Sequence, residues 1–169
     1  MRKRSSYANK NNLRQILFEV GQMIPIKLKK TNPDAVIPQF KTKGSAGADL
    51  YASEECYVRS GTTELVKTGI SLAIPEGYCG LVQGRSGLSL KGNYHVKTGT
   101  IDSDYRGEIG VIVSNSDHFE DLIIAKGDRI AQILFVAVSQ VDFIECHSLD
   151  DTERGSGGFG STGINDGMP

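Results

Sequence analysis

GTIDSDYRGEIGVIVS, residues 99–114, contains the two kinds of pattern on which the reading of this chain rests. Its second half, Ile109 to Ser114, is a short Val- and Ile-rich run of the length of a strand. Its first half sets Asp102, Asp104 and Tyr105 among Gly99, Gly107 and Gly110. Glycines there allow sharp turns and let backbone approach a ligand without side-chain obstruction. The segment from Gly99 to Gly110 therefore reads as hairpin-like. Moving outward, comparable runs occupy residues 24–28, 57–67, 69–74, 80–83 and 129–138. Pro75-Glu76-Gly77 and Lys126-Gly127-Asp128 punctuate them as tight turns. Strands at such spacing predict an all-β sandwich, jelly roll or barrel. Residues 86–91 are the one convincing helical turn. Twenty glycines in 169 residues, against an average near 7%, together with the many Val and Ile residues in short runs, favour tightly turning β structure over a helix bundle.

A chain of this length predicts one main domain. Its 19 basic and 20 acidic residues advertise neither nucleic-acid nor membrane binding, and neither partner is expected. No apolar run approaches a membrane span, and no secretory h-region opens the chain, so an intracellular, cytoplasmic protein is expected, or one of a host cell if the source is viral. Cys56, Cys79 and Cys146 are odd in number and lack CxxC spacing. They suit a reducing compartment and read as small buried hydrophobes rather than disulfide or zinc partners. His95, His118 and His147 are scattered and read as surface or structural residues. Residues 1–22 are net +4 against −5 for the rest, with Leu13, Ile16, Leu17 and Val20 at helical spacing. They form a basic extension, either a short helix or disordered. Residues 23–153 are the β core, and residues 154–169 are a glycine-rich tail that composition alone reads as a linker.

Individual stretches carry chemistry ambiguously. Arg85-Ser86-Gly87 at the start of a helical turn offers a guanidinium, a hydroxyl and free N–H groups, which suit a phosphate; taken alone, a helix cap explains it as well. Asp128-Arg129 reads as an intramolecular ion pair. Gln132 is polar within an apolar run and must face an edge or bond to something. Asp49 alone is a turn aspartate, and Asp102 to Tyr105 alone is an Asp-rich turn.

As a set, however, Ala46-Gly47-Ala48-Asp49-Leu50, Gly84-Arg85-Ser86-Gly87-Leu88, residues 99–107, Lys126-Gly127-Asp128-Arg129-Ile130-Ala131-Gln132 and residues 154–163 resemble, in order and spacing, the five motifs of the trimeric deoxyuridine triphosphatases (dUTP diphosphatases). The resemblance spans residues 24–163. It implies a jelly-roll-like β-clip fold, a homotrimer with active sites shared among chains, dUTP as substrate and Mg²⁺ as cofactor. By the same resemblance, Asp102 is catalytic and orients the attacking water. Backbone of the segment containing Gly99, Thr100, Ile101 and Gly110 pairs with uracil, and the Tyr105 ring packs on deoxyribose and excludes a 2′-hydroxyl. Arg85, Ser86, Gly87 and Gln132 bind phosphates. Asp49 helps hold Mg²⁺ through water, as befits a cation that sheds its waters reluctantly. The tail becomes an ordering lid, in which Phe159 stacks on the base and Arg154, Gly160, Ser161 and Thr162 meet the substrate.

Two positions depart from the family pattern. Gly84 stands where many members have proline, which questions the rigidity of the phosphate turn, and Val96 stands where many bacterial members have asparagine. The related deoxycytidine triphosphate deaminases resemble a segment with tryptophan in place of Tyr105 and a catalytic glutamate where this chain has Ile112. Without that carboxylate, deamination is not expected. A non-catalytic nucleotide sensor or protein-binding module on the same fold is the alternative from another class.

Overall fold

The computed structural model describes residues 23–158 apart from Lys91. The expected N-terminal extension, along with Phe159, Gly160, Ser161 and Thr162, lies outside the described residues. The chain divides into two units at Ser139/Gln140. Among the described residues of the first, eleven strands and one short helix follow in order: β1 (Lys27–Lys30), β2 (Ala48–Tyr51), β3 (Cys56–Val58), β4 (Thr63–Lys67), β5 (Ile70–Ala73), β6 (Tyr78–Gln83), α1 (Ser86–Ser89), β7 (Tyr94–Val96), β8 (Gly99–Ile101), β9 (Gly110–Asn115), β10 (Leu122–Ile124) and β11 (Arg129–Ala137). The architecture is all-β, as expected. Every pairing is antiparallel: β2-β11-β6-β8 form one sheet, β4-β9-β7 another, and β1-β5 and β3-β10 are pairs. In the second unit the described residues, 140–158, hold turns but no strand.

The core is aliphatic. Leu50, Val58, Val66, Ile70, Ile109, Val111, Val113 and Ile133 are fully buried, each contributing about 1.5–3 kcal/mol relative to exposure. In β9 the buried residues alternate, Val111, Val113 and Asn115 inward, as a strand with one solvated face requires. The polar member of that row is satisfied: Asn115 Nδ2 donates to the carbonyls of Val58 and Glu120, and its Oδ1 accepts from Asp117 N–H. Burial keeps the Tyr94 phenol protonated well above its ordinary range, and its hydroxyl donates to the Ile130 carbonyl at 2.7 Å.

Several sequence expectations change. The run over 57–67 is two strands, because a turn with Gly61 at φ +68° breaks it. The first strand begins at Lys27 rather than Ile24. The segment from Gly99 to Gly110 is not a hairpin: β8 pairs with β6 and β9 pairs with β4 and β7, so residues 102–109 carry the chain from one sheet to another. Only Cys79 of the three cysteines is buried; Cys56 is half-buried and Cys146 exposed. His95, His118 and His147 are exposed, as expected.

Candidate active site

The sheet β2-β11-β6-β8 brings three of the five quoted motifs onto its strands and a fourth, residues 84–88, directly after β6. Gln132 on β11 lies opposite Asp49 on β2 and opposite Gln83 on β6, and the next β6 residue, Val82, faces Gly99 on β8. Directly opposed residues share a face, so Asp49 and Gln132 point the same way.

Arg129 joins them through a bulge. The pairing of β11 with β2 slips between Arg129 and Ala131, leaving Ile130 as the extra residue. Two consecutive residues, Ile130 and Ala131, are consequently buried. Strict alternation would put Arg129 on the face of Ala131; the bulge re-aims it to the face of Gln132. There Arg129 Nη1 donates to Asp49 Oδ2 at 3.2 Å, while Arg85 Nε makes an ion pair with Asp49 Oδ1 at 3.2 Å. One buried carboxylate thus holds two guanidinia, and the three groups sum to one positive charge. Arg85 Nη1 also donates to the Arg129 carbonyl. The expected ion pair of Arg129 exists, but with Asp49 rather than Asp128, whose carboxylate instead accepts from Ala125 N–H in the turn.

A polar pocket of about 310 Å³ opens on this face, lined by Lys41, Gly47, Asp49, Arg85, Ser86 and Gln132 among others. Ser86 and Gly87 head the four-residue helix α1, where the first N–H groups have no intrahelical acceptor. Arg85 precedes the helix in an extended conformation and makes no side-chain cap, so its guanidinium remains on the pocket side with Asp49. The turn is fixed despite Gly84, because Gln132 Nε2 donates to the Gly84 carbonyl at 3.1 Å. Gly47 packs closely beside it: a Cβ there would lie 2.8 Å from Gln132 Oε1, so the amide would have to shift. Lys41 and Arg129 were not evident in the sequence as pocket residues. Lys41 lies in an irregular segment with its ammonium 5.4 Å from the Tyr51 ring centre, and no local pattern marks it.

The 102–110 segment forms a second locus. Asp102 follows β8 directly, its carbonyl accepting from Tyr105 N–H at 3.2 Å to close a turn. Arg106 Nη1 donates to the carbonyls of Ser103 and Tyr105 and locks that turn. The Asp102 carboxylate is exposed and has no hydrogen-bond or ion-pair partner among the described residues. Tyr105 lies over Gly107, where any Cβ would collide with the phenol ring. Its hydroxyl donates to the Glu108 carbonyl at 3.0 Å, and the residue is 43% exposed. Gly99 and Gly110 are half-buried strand residues; Thr100 is exposed and Ile101 half-buried. In the second unit, Arg154 Nε donates to the Gly157 carbonyl at 3.0 Å, within a turn that includes Gly155 at φ +51°.

No group of three or more His, Cys, Asp or Glu side chains converges among the described residues. Asp49 is the one carboxylate of the pocket lining, and each of its oxygens is already ion-paired with a guanidinium. That donor set does not suit a cation caged by protein. It fits a hydrated cation whose main ligands are substrate oxygens.

Residues 33–163 match the dUTPase family model. A deoxyuridine 5'-triphosphate nucleotidohydrolase of Helicobacter pylori (strain Shi470) is 48% identical over 141 residues, covering 82% of this chain and 97% of that one. The dUTPase of Staphylococcus bacteriophage 80alpha, solved with dUPNHPP, superposes with a TM-score of 0.77 at 27% identity, over 84% of this chain and 100% of that one. A dUTPase mutant from phage phi11 of S. aureus, whose structure details the coordination of a structural Mg(II) ion, shares the fold with a TM-score of 0.71 at 23% identity, over 74% of this chain and 98% of that one.

Proposed function

The chain belongs to the dUTPase family and is a dUTP diphosphatase, and from that premise we propose how its residues divide the reaction. The carrying observation is the pair of guanidinia, Arg85 and Arg129, anchored by Asp49 at a polar pocket. An anchored pair of planar donors with one net positive charge suits a polyphosphate, because the donors are already oriented when the anion arrives. Ser86 Oγ, the Ser86 and Gly87 N–H groups and Gln132 add neutral donors, and Lys41 adds a mobile point charge. Asp49, through water, would help hold a substrate-bound Mg²⁺, which would supply charge neutralisation. Arg154 adds a further cation from the tail.

In this reading Asp102 accepts a hydrogen bond from the attacking water and holds it toward the α-phosphorus, so that dUTP and water give dUMP and pyrophosphate. The exposed, unpartnered carboxylate supports that role, since no internal ion pair must be broken to engage the water. Backbone groups around Gly99, Thr100, Ile101 and Gly110 read the uracil edge. Cytosine presents an acceptor and a donor in the reverse order, so two bonds become mismatches. At about 1–3 kcal/mol per unsatisfied group, rejection is about 30-fold to 10⁴-fold. Only steric exclusion of the methyl group separates uracil from thymine.

Each site is shared among the chains of a homotrimer in this reading. Support within the first unit is the cross-strand pair Leu65 and Ile112, exposed at 61% and 39% on the outer face of β4-β9-β7. The physiological sense is removal of dUTP, which keeps uracil out of DNA, and supply of dUMP for thymidylate synthesis. The scattered free thiols support a reducing, cytoplasmic location, and no helix among the described residues is long and apolar enough to cross a membrane.

The test is sugar selectivity. If the Tyr105 ring covers the deoxyribose, UTP is a very poor substrate, and Tyr105→Ala both raises KM for dUTP and narrows the dUTP-over-UTP ratio of kcat/KM. Equal rates on dUTP and UTP with the unmutated protein contradict this placement.

A further inference from the structure

Glu108 occupies a position that phosphate and base binding leave unexplained. It follows Gly107 in the segment that joins the two sheets, and its half-buried carboxylate makes two bonds to remote chain. Oε1 accepts from Gly69 N–H at 2.9 Å, and Oε2 accepts from Thr31 Oγ1 at 2.8 Å. Those two partners are themselves joined, Thr31 N–H donating to the Gly69 carbonyl at 2.8 Å just beyond the β1-β5 pair. Gly69 sits at φ +69°, and a Cβ there would lie within 2.9 Å of Asn32, Ala35 and Ser53, so the chain is closely packed around it. The carboxylate therefore grips a tightly packed corner of the core.

The grip fixes a backbone plane. Ile109 N–H donates to the Ile70 carbonyl at 2.8 Å, and Thr68 Oγ1 donates to the Ile109 carbonyl. With the side chain of Glu108 held on one side and the Ile109 N–H on the other, the peptide between them has little freedom. Its carbonyl oxygen, pointing opposite to the N–H in a planar trans peptide, accepts the Tyr105 hydroxyl. Gly107, directly under the ring, leaves the tyrosine no side-chain support from that residue. The orientation of the ring is thus transmitted from the β1-β5 corner through Glu108.

We propose that Glu108 is a specificity-determining positioning residue, which sets the sugar-facing ring of Tyr105 by clamping the carbonyl that holds its hydroxyl to Thr31 and Gly69. The proposal rests on the reading that Tyr105 packs on deoxyribose. What the clamp needs is two hydrogen-bond sites rather than a charge. A glutamine can accept from Gly69 N–H with its oxygen and donate to the Thr31 hydroxyl with its amide, because a hydroxyl both accepts and donates. Alanine offers neither bond, and small misplacements at a reaction centre carry large rate effects.

The experiment measures kcat/KM for dUTP and for UTP, with thermal unfolding recorded, for Glu108→Ala, Glu108→Gln, Tyr105→Ala and the Glu108→Ala/Tyr105→Ala double variant of the full chain. The dUTP-over-UTP ratio is expected to fall at least about tenfold in Glu108→Ala, to remain near the unmutated value in Glu108→Gln, and to be the same in the double variant as in Tyr105→Ala alone. A purely structural role lowers both rates in step and leaves the ratio unmoved. An undiminished ratio in Tyr105→Ala overturns the sugar assignment, and this proposal with it. A ratio that falls in Tyr105→Ala but not in Glu108→Ala, or that falls further in the double variant, overturns the proposal alone. Should Glu108→Ala fail to fold, Thr31→Val carries the test, since it removes one of the two bonds while keeping side-chain shape: a lowered ratio supports the clamp and an unchanged ratio overturns it.

Discussion

Asp102→Asn is expected to lower kcat on dUTP by at least about 10²-fold, the usual scale for loss of a positioned base, with little change in substrate affinity. Asparagine keeps the size of the side chain and one of its acceptors, but it loses the negative charge that polarises the water. The local structure makes the comparison clean. The carboxylate is exposed, and the turn it begins is closed by its backbone carbonyl and by Arg106 rather than by its side chain. The substitution should therefore shift stability by no more than about 0.5 kcal/mol. Asp104, two residues on and also exposed, provides the control: Asp104→Asn should retain most of the activity. Steady-state kinetics on both variants, with nucleotide binding measured by calorimetry, checks the assignment. Normal turnover by Asp102→Asn contradicts it, and loss of turnover in Asp102→Asn with retained dUTP binding separates an enzyme from a nucleotide sensor.

Deleting the chain from Arg154 onward is expected to abolish most catalysis while leaving the β core folded. Among the described residues every buried side chain lies between Ala35 and Ile133, so the deletion removes none of that core. The catalytic loss follows from what the tail carries: Arg154 is a cation, Phe159 is its one aromatic residue, and Ser161 and Thr162 are hydroxyl donors. No other tail residue offers an aromatic ring to a base. Ordering a glycine-rich segment opposes closure by about 1–2 kcal/mol per residue, so the full triphosphate should be needed to draw it in, and dUMP should do so weakly. Proteolysis of the tail alone, with dUMP, and with a non-hydrolysable dUTP analogue plus Mg²⁺ reads this directly. Cleavage at equal rates in the three conditions, or full activity after truncation, returns the tail to the linker that its composition suggests.

What could be read in the sequence was local. The all-β class followed from runs of Val and Ile between glycine turns, and Gly77 and Gly127 indeed sit at φ +81° and +86°. Gln132 drew notice because a polar residue interrupts an apolar run, and it does bond across the sheet to Gly84. What stayed hidden was non-local. Arg129 and Asp49 stand 80 residues apart, and they meet only because a bulge at Ile130 reverses the face of Arg129. A bulge leaves no reliable mark in a single sequence, since two adjacent apolar residues equally suit a strand buried on both faces. The short strands β2, β7, β8 and β10 were missed because three or four residues give too little alternation to see. Their partners, not their own residues, make them strands. The hairpin expectation over 99–110 failed for the same reason: glycines permit a tight return, but pairing of β8 with β6 and of β9 with β4 and β7 decides where the chain goes. Glu108 offers no local pattern either, because its meaning lies in Thr31 and Gly69.

The fate of the oxygen that attacks the substrate tests attack at the α-phosphorus most directly. The purified protein is given dUTP and Mg²⁺ in water enriched in the heavy oxygen isotope, and the products are resolved by mass spectrometry. Attack on the α-phosphorus predicts dUMP and pyrophosphate in equal amounts, with the heavy oxygen in dUMP and none in pyrophosphate. Formation of dUDP and phosphate, or recovery of the label in pyrophosphate, would contradict it.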